Sequence, residues 1–427
     1  MKTTILNLRF FPLRYGSVPV SIIIFSFILP QASFGETTNK RMILPGARAQ
    51  ALGGAFTAVA DDASAGWYNP AGLGFLRGPG MSVTVNNYST SHKETTGVTE
   101  KSNLSENSSS LYPGFAGGNA PLGPFSFGWS YFTMEEQRTD ESQTLQIEQS
   151  GDSLPFRYDR AELTTGSLIH AGGSVALALG PNISLGVSEF YYRRQKQTAL
   201  KERSTFASGV FYDSFARQST VNEGTLTVGG IMIRGGSFSL GISGRIPKAL
   251  SDKTDFETSA TTYTSGEPEL SSTNSETHRE DELIVRTWTL GIAWNPASWF
   301  LLSADVLNHP ATKTPWPGAG GFSTKTVTDW SVGTELRADS LIFIGGAFSN
   351  KSLVETPTPS LVASEPARID YVGFSSGLGY RTHQSETLII MVRQKGAGKT
   401  QMVQGDLSLQ NESIETQSFS LSSKYQF

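Results

Sequence analysis

The feature that most constrains the fold is a set of short segments in which apolar and polar side chains alternate. In the last of them, Phe419, Leu421 and Tyr425 alternate with serine and lysine, and the chain ends at Phe427. Successive side chains of a β-strand point to opposite faces, so each segment predicts a strand with one apolar face. Similar segments begin near residues 81, 125, 175, 238, 288 and 330.

The links between these segments are alternately short and long. Residues 180–182 and 338–340 form short links, whereas 134–160, 198–223 and 246–281 form long ones. Membrane barrels have short periplasmic turns, long outer loops and an even strand number, and closure leaves no exposed edge in lipid. We therefore predict an all-β fold, a transmembrane antiparallel β-barrel of about 14 strands, rather than a soluble sandwich. The predicted strands start near residues 81, 109, 123, 161, 183, 224, 236, 282, 299, 325, 340, 368, 386 and 416.

The first 35 residues predict a signal peptide. Lys2, Arg9 and Arg14 precede an apolar run of ten residues at 20–29. This run is well short of the roughly 20 residues that a spanning helix needs. Small residues then favour cleavage after Gly35, and the alternative is an uncleaved membrane anchor. The chain has no cysteine, which excludes disulfides and thiolate metal sites. Its net charge of −4 gives no indication of the clustered basic face that nucleic-acid binding needs.

A stretch rich in small residues, 46–73, follows the leader and ends in the turn Asn69, Pro70 and Ala71. Proline fixes its own φ and disfavours helix at the preceding residue. Asp61 and Asp62 are expected to cap a short helix, and the alternatives are a metal pair or an acid/base pair.

This stretch resembles a known plug. The sequences GGAFTAVADDAS at 53–64 and WYNPAGL at 67–73 are similar to the N-terminal plug of FadL-type proteins, the OMPP1/FadL/TodX family of bacterial outer-membrane transporters. The C-terminal strand ending in Phe427 also resembles that of bacterial outer-membrane proteins. The resemblance implies a plug at residues 36–80 and a barrel at 81–427. The plug residues expected to bind or gate ligand are Phe56, Asp61, Asp62, Trp67, Asn69, Pro70 and Ala71.

The same resemblance implies passive uptake of long-chain fatty acids or hydrocarbons, with no cofactor and no enzymatic step. Family members release ligand sideways at a kinked third strand, for which Gly128 is the candidate here. The implied partners are the ligand, outer-membrane lipid and lipopolysaccharide, and the assembly machinery through Phe427, but not nucleic acid. The alternative is a structural or secretion-accessory barrel that binds other proteins through its long loops.

The sequence leaves open the roles of several charged residues. Arg245, Arg337 and Lys424 are predicted to face the lumen, where they attract an anionic head group or are simply solvated. Nine acidic residues lie between residues 251 and 282. Two interpretations are open: the stretch binds divalent ions that bridge to lipopolysaccharide, or it is a solvated loop. Glu189 falls on the apolar face of its strand, which predicts a bulge near Ser188.

One motif suggests catalysis. Residues 373–377 match the G-x-S-x-G pattern of serine hydrolases, which needs a strand-to-helix elbow and a histidine partner. Here the motif lies within an alternating segment. A lipid-processing enzyme is therefore the least favoured function.

Overall fold

The computed structural model describes residues 39, 41, 43–97, 103–146, 157–206, 210–264, 267–278, 286–311, 313–314, 322–356, 367–400 and 409–427. The predicted signal peptide lies outside these residues. Two short helices, α1 (Ala47–Ala51) and α2 (Ala65–Tyr68), and a 3₁₀ helix (Pro70–Phe75) precede the first strand. In the described part of the chain, no helix is long and apolar enough to cross a bilayer.

The remainder of the described chain is almost entirely strand. The strands are β1 (Gly80–Thr96), β2 (Leu104–Tyr112), β3 (Phe115–Leu122), β4 (Phe125–Gln146), β5 (Arg157–Ala178), β6 (Ile183–Thr205), β7 (Phe211–Gly235), β8 (Phe238–Thr264), β9 (Glu267–His278), β10 (Thr287–Ala297), β11 (Phe300–His309), β12 (Lys313–Thr314), β13 (Phe322–Ser323), β14 (Val327–Ala338), β15 (Leu341–Asn350), β16 (Arg368–Arg381), β17 (Ser385–Thr400) and β18 (Gln410–Gln426).

The strands close into an antiparallel barrel. Pairing runs from β1 through β3 to β8, passes from β8 to β10, continues through β11 and β14 to β18, and returns from β18 to β1. This ring has fourteen strands, while β2 and β9 pair beside it and β12 and β13 form a separate hairpin. The predicted fold class is therefore confirmed. Each strand of the ring therefore pairs with a neighbour on both sides over at least part of its length, as a barrel in lipid requires.

Three neighbouring strands are irregular at one level of the barrel. The register of β1 against β18 shifts between Val85 and Tyr88. Beside this shift the chain leaves the β1 ladder at Pro113 and Gly114, so β2 and β3 share one position in the wall. The register of β4 against β5 shifts at Met134. Among the described residues β3 pairs with β4 but β2 does not, so the ladder between neighbouring strands ends here.

Gly128, the candidate position for a kink in the third strand, lies outside this irregularity and pairs in regular register with Asn119 and Ser174. The ladder breaks at Pro113, because proline has no N–H with which to continue a ladder. The shift in the third strand accompanies it at Met134.

Two further expectations about strands were wrong. The predicted long loops are largely strand, since β4 runs to Gln146, β6 runs to Thr205 and β8 runs to Thr264. Many of these extensions carry polar side chains on both faces, so no alternation marks them. The predicted bulge near Ser188 is also absent, because β6 pairs continuously with β5 and β7 there. Glu189 simply faces outward and accepts a hydrogen bond from Thr227 Oγ1 at 2.6 Å.

The outer face of the barrel is apolar near the short turns. On β10, four side chains point outward and are 39–57% exposed, namely Trp288, Leu290, Ile292 and Trp294. The inward positions of the same strand carry Thr287, Thr289 and Gly291. The G-x-S-x-G motif lies within β16, without any strand-to-helix elbow, so it is not a nucleophile site.

Candidate functional site

The N-terminal segment, defined here as described residues 39–76, lies inside the ring of strands. Inward-facing serines on β6, β11, β16 and β18 donate hydrogen bonds to it from around the barrel. The pairs are Ser188 with Gly66 O (2.8 Å), Ser303 with Ala55 O (2.8 Å), Ser375 with Ala51 O (2.7 Å) and Ser420 with Gln50 Oε1 (3.0 Å). Short polar side chains on the inner face thus satisfy the irregular backbone that the segment buries.

Asn69 joins two parts of the segment to the wall. Its Nδ2 donates to Thr57 O at 2.9 Å and to Ile231 O of β7 at 3.1 Å. Its Oδ1 accepts from Ala71 N at 3.2 Å, which caps the 3₁₀ helix that Pro70 begins. The side chain is fully buried, so every one of these bonds replaces a lost hydration contact.

A carboxylate of the wall caps another turn of the segment. Asp305 on β11 is buried, and its Oδ2 accepts from the backbone N–H of Phe56 at 3.0 Å and of Thr57 at 2.9 Å. Adjacent N–H groups that point at one carboxylate form a small anion site. The wall therefore fixes the turn that carries Phe56, whose ring packs edge-on against Tyr68.

An ion-pair network, buried at Arg48 and Glu335 and one-third exposed at Asp61, ties α1 to β14. Arg48 pairs with Glu335 through Nε at 2.6 Å and also with Asp61. Burial alone would raise the pKa of the Asp61 carboxyl, but Arg48, followed by Lys424 and Arg234, lowers that pKa well below its usual range. Removal of one member of such a network leaves a buried charge without compensation, which is strongly destabilising.

Glycines on the inner face of the barrel allow the N-terminal segment to pack directly against the strands. A Cβ on Gly186, Gly230, Gly241 or Gly346 would overlap with Pro70, Asn69, Thr57 or Gly53 respectively. A Cβ on Gly291 would lie 2.9 Å from the Cβ of Thr57, and one on Gly333 would lie 2.6 Å from Leu52 O. Backbone-to-backbone packing of this kind requires glycine on at least one side.

A cavity adjoins the segment within the barrel. It has a water-accessible volume of about 110 Å³ and is partly open to solvent. Trp67 and Tyr68 of α2 form part of its wall, and the strands contribute apolar side chains at Met134, Leu168, Leu226 and Leu307. Charged and polar side chains at Arg41, Arg194, Arg245, Asp305 and His309 complete the lining. The cavity is therefore amphipathic.

The predicted plug residues divide between this cavity and the wall. Trp67 faces the cavity and packs edge-on against Phe132, His170 and Phe190 at centroid distances of 5.1, 5.3 and 6.2 Å. Phe56, Asn69, Pro70 and Ala71 are buried against the strands and do not line the cavity. Asp62 accepts from Ser64 N and Oγ at 2.8 and 2.6 Å in a turn that precedes α2. The expected helix caps were wrong, because α2 has no side-chain cap and Asp61 pairs with Arg48 instead.

The three predicted lumen charges do not converge. Arg337 pairs with Glu335 at 2.5 Å, and Lys424 donates to Asp61 O at 3.4 Å. Only Arg245 lines the cavity. No group of side chains in the described residues has the arrangement of a metal site, and only part of the acidic stretch lies within them.

Several residues that hold the segment were not among those expected from the sequence. Arg41 donates to Trp330 O, Ser349 O, Gly53 O and Ser331 Oγ at 2.9–3.2 Å. Asp305 and Glu335 were also missed. The sequence pattern could have identified both acids, because each occupies an inward position of a strand predicted to cross the membrane. Charged groups at such positions are functional candidates by default.

Comparison with known proteins identifies the class of fold. No family model matches the chain, and no curated protein matches it. Several solved structures match the chain over most of its length. A Pseudomonas aeruginosa FadL homologue aligns with a TM-score of 0.63 at 14% identity, covering 90% of this chain and 98% of that one. The Pseudomonas putida toluene transporter TodX aligns with a TM-score of 0.63 at 15% identity, covering 90% and 99%.

A third match extends the set. The CymD monoaromatic hydrocarbon channel aligns with a TM-score of 0.59 at 11% identity, covering 90% of this chain and 97% of that one. The likeness spans nearly the whole length of each relative. At these identities it establishes a shared fold, and so confirms the FadL-type barrel that the N-terminal motif implied.

Proposed function

We propose that this barrel is a passive channel for hydrophobic small molecules in the bacterial outer membrane. Residues 36–80 act as the plug and the cavity binds the ligand. The observation that carries the proposal is the position of the cavity, which lies directly against the N-terminal segment inside a closed barrel. Ligand sites are concave and mostly apolar, and a ligand held there touches the element that blocks its way.

The irregular level of the wall supports a sideways exit. Met134 and Glu135 line the cavity, and they lie where β4 shifts register and where β2 does not pair with β4. Few ladder hydrogen bonds must be broken to part the wall at this point. An apolar ligand leaving here enters lipid without crossing an aqueous channel.

The comparisons support the same substrate class. The similar structures include a toluene transporter and a monoaromatic hydrocarbon channel. The alternative, an accessory barrel that binds other proteins, does not require a cavity beside the N-terminal segment. We therefore favour transport.

Two adjacent residues of β5 allow a matched test. Leu168 lines the cavity, whereas the side chain of Ile169 points to the other face of the strand. Leu168→Trp fills the cavity and should slow uptake of a labelled alkylbenzene or fatty acid by at least tenfold. Ile169→Trp should leave uptake unchanged. The measurement is uptake by cells that lack any other channel for the probe, with protein in the outer-membrane fraction quantified. Equal uptake by both variants and the wild type would show that the cavity is not on the path.

A further inference from the structure

The cavity beside the N-terminal segment is lined by several polar atoms that have no hydrogen-bond partner within the described residues. These atoms are Thr57 Oγ1, Tyr68 Oη, His170 Nδ1, Thr289 Oγ1 and Asp305 Oδ1. All five side chains are buried. Buried polar atoms in a native protein are nearly always paired, so a group of unpaired ones around one cavity indicates a ligand with matching hydrogen bonds.

Asp305 is the charged member of this group. Its Oδ2 accepts from the backbone N–H of Phe56 and Thr57 at 3.0 and 2.9 Å, so one oxygen holds the segment. Its Oδ1 lies over Gly291 of β10, where an added Cβ would be 2.5 Å from it. Thr57 lies beside the same glycine, yet its hydroxyl makes no hydrogen bond of normal geometry to Oδ1. A carboxylate oxygen only accepts hydrogen bonds, so Oδ1 requires a donor.

The arginines of the cavity direct their hydrogen bonds elsewhere. Arg41 donates four, to backbone and serine oxygens of the segment and the wall. Arg245 donates from Nε to Trp67 O at 3.1 Å, and its Cζ lies 4.5 Å from the centre of the Trp67 ring. Arg194 pairs with Glu135 at 3.3 Å. The donor that Asp305 requires must therefore come from the ligand.

A hydroxyl group on an apolar body meets this requirement. Its O–H donates to Asp305 Oδ1, and its oxygen accepts from a hydroxyl of the lining. The body packs against the apolar side chains of the cavity, which are Met134, Leu168, Leu226 and Leu307. An anionic end group has no proton to donate and is repelled by the carboxylate. A hydrocarbon leaves Oδ1 buried and unsatisfied, which is costly.

We propose that the cavity selects uncharged hydroxylated ligands, namely phenols and alcohols with an apolar body, and that Asp305 binds their O–H group. This inference rests on the proposed function, because it names the ligand class of the same cavity. The carboxylate then contacts the ligand through Oδ1 and the segment through Oδ2. A bound ligand is thus separated by a single side chain from the turn at Phe56 and Thr57.

Three uncharged ligands of similar shape separate these contacts. The donor and acceptor are both present in para-ethylphenol, only the acceptor in its isomer para-methylanisole, and neither in para-ethyltoluene. Binding to the full-length barrel in nanodiscs is measured by equilibrium dialysis, with binding to empty nanodiscs subtracted. We expect para-ethylphenol to bind about tenfold more tightly than the other two, because only it satisfies Oδ1. The hydrophobic effect alone predicts the reverse order, since para-ethyltoluene is the most apolar. The anion para-ethylbenzoate should also bind more weakly than para-ethylphenol.

Two inward positions of β11 provide a matched pair of variants. Ser303 donates to Ala55 O at 2.8 Å and so holds the segment beside the residues that Asp305 holds, but only Asp305 lines the cavity. In Asp305→Asn the amide oxygen can accept the two backbone N–H groups, and an NH₂ donor replaces Oδ1. The preference for para-ethylphenol over para-methylanisole should disappear in Asp305→Asn and persist in Ser303→Ala.

The outcomes separate the inference from the proposed function. Equal binding of para-ethylphenol and para-methylanisole to the wild type, tighter binding of para-ethylbenzoate, or an undiminished preference in Asp305→Asn overturns the role of Asp305 and leaves the channel intact. The wild-type comparison decides the matter even if Asp305→Asn does not fold. Equal loss of preference in Ser303→Ala also overturns the inference, because the effect would then come from holding the segment. Binding of no probe at all to the wild type overturns both proposals.

Discussion

The side-chain amide of Asn69 lies directly against Gly230 of β7, so closely that a Cβ at position 230 would overlap with Asn69 Oδ1. One residue belongs to the N-terminal segment and the other to the wall. Each is necessary for the other, because the amide reaches Ile231 O only across a strand position without a side chain.

Gly230→Ala should therefore displace the segment. The added methyl group cannot be accommodated beside a buried amide, so the turn at residues 69–71 must move. We expect raised ion conductance in planar bilayers from a barrel that inserts normally. The double variant Asn69→Ala/Gly230→Ala removes the overlapping atoms and should conduct less than Gly230→Ala alone. Additive effects of the two changes would contradict a direct contact.

Asn69→Ala alone tests the plug as a local equilibrium. The change leaves Thr57 O and Ile231 O without their donor, which costs on the order of 1–3 kcal/mol. About 1.4 kcal/mol shifts an equilibrium tenfold. We expect a folded barrel with leakier ion conductance or slower uptake of a labelled fatty acid or alkylbenzene. If conductance and uptake both match the wild type, the segment only fills space.

The ion pair between Asp61 and Arg48 predicts that the N-terminal segment stays in place down to a low pH. The pKa of Asp61 is below the usual range, so its ion pair with Arg48 stabilises the folded state above the unfolded pKa of about 3.9. This stability is lost only as the pH falls through the lowered folded-state pKa. Conductance should therefore stay low from neutral pH to about pH 4 and rise below it. Asp61→Asn should leak already at pH 7, and a wild-type rise near pH 6 would exclude Asp61 as the group responsible.

Phe427 tests the assembly prediction. It is 74% exposed at the end of the chain, its N–H donates to Pro79 O at 3.0 Å, and its ring lies 5.0 Å from that of Tyr425. Little of its side chain is buried, so its deletion should barely affect the stability of a finished barrel. We expect instead less heat-modifiable folded protein in outer-membrane fractions, with refolding from urea into detergent unchanged. Normal amounts in cells would remove the proposed role in assembly.

Orientation can be measured because the chain has no cysteine of its own. Asn103 precedes β2 at the end of the barrel where the strands are long, and Asn182 lies in the short turn between β5 and β6. A membrane-impermeant maleimide should label Asn103→Cys in intact cells and Asn182→Cys only after permeabilisation. The reverse labelling pattern would show that the barrel has the opposite orientation in the membrane.

The sequence by itself determined the strand number, the outward faces and the existence of a compact N-terminal element. The alternation of apolar and polar side chains from Trp288 to Trp294 indicates which face of the strand contacts an apolar environment, because side-chain direction in a strand has a period of two. The motif that ends in Asn69 and Pro70 likewise marked the turn that the barrel encloses. The sequence did not show the long polar parts of β4, β6 and β8, because strands that are polar on both faces carry no such period.

Only the tertiary structure decided which inward residues form the site. Arg245, Arg337 and Lys424 are equivalent in the sequence, yet one reaches the cavity while the others contact Glu335 and Asp61. The break in the ladder at Pro113 likewise became visible only from the pairing of β1 with β2 and β3. Register and barrel closure bring residues hundreds of positions apart to one level, and a one-dimensional pattern contains the direction of a side chain but not its neighbours across the lumen.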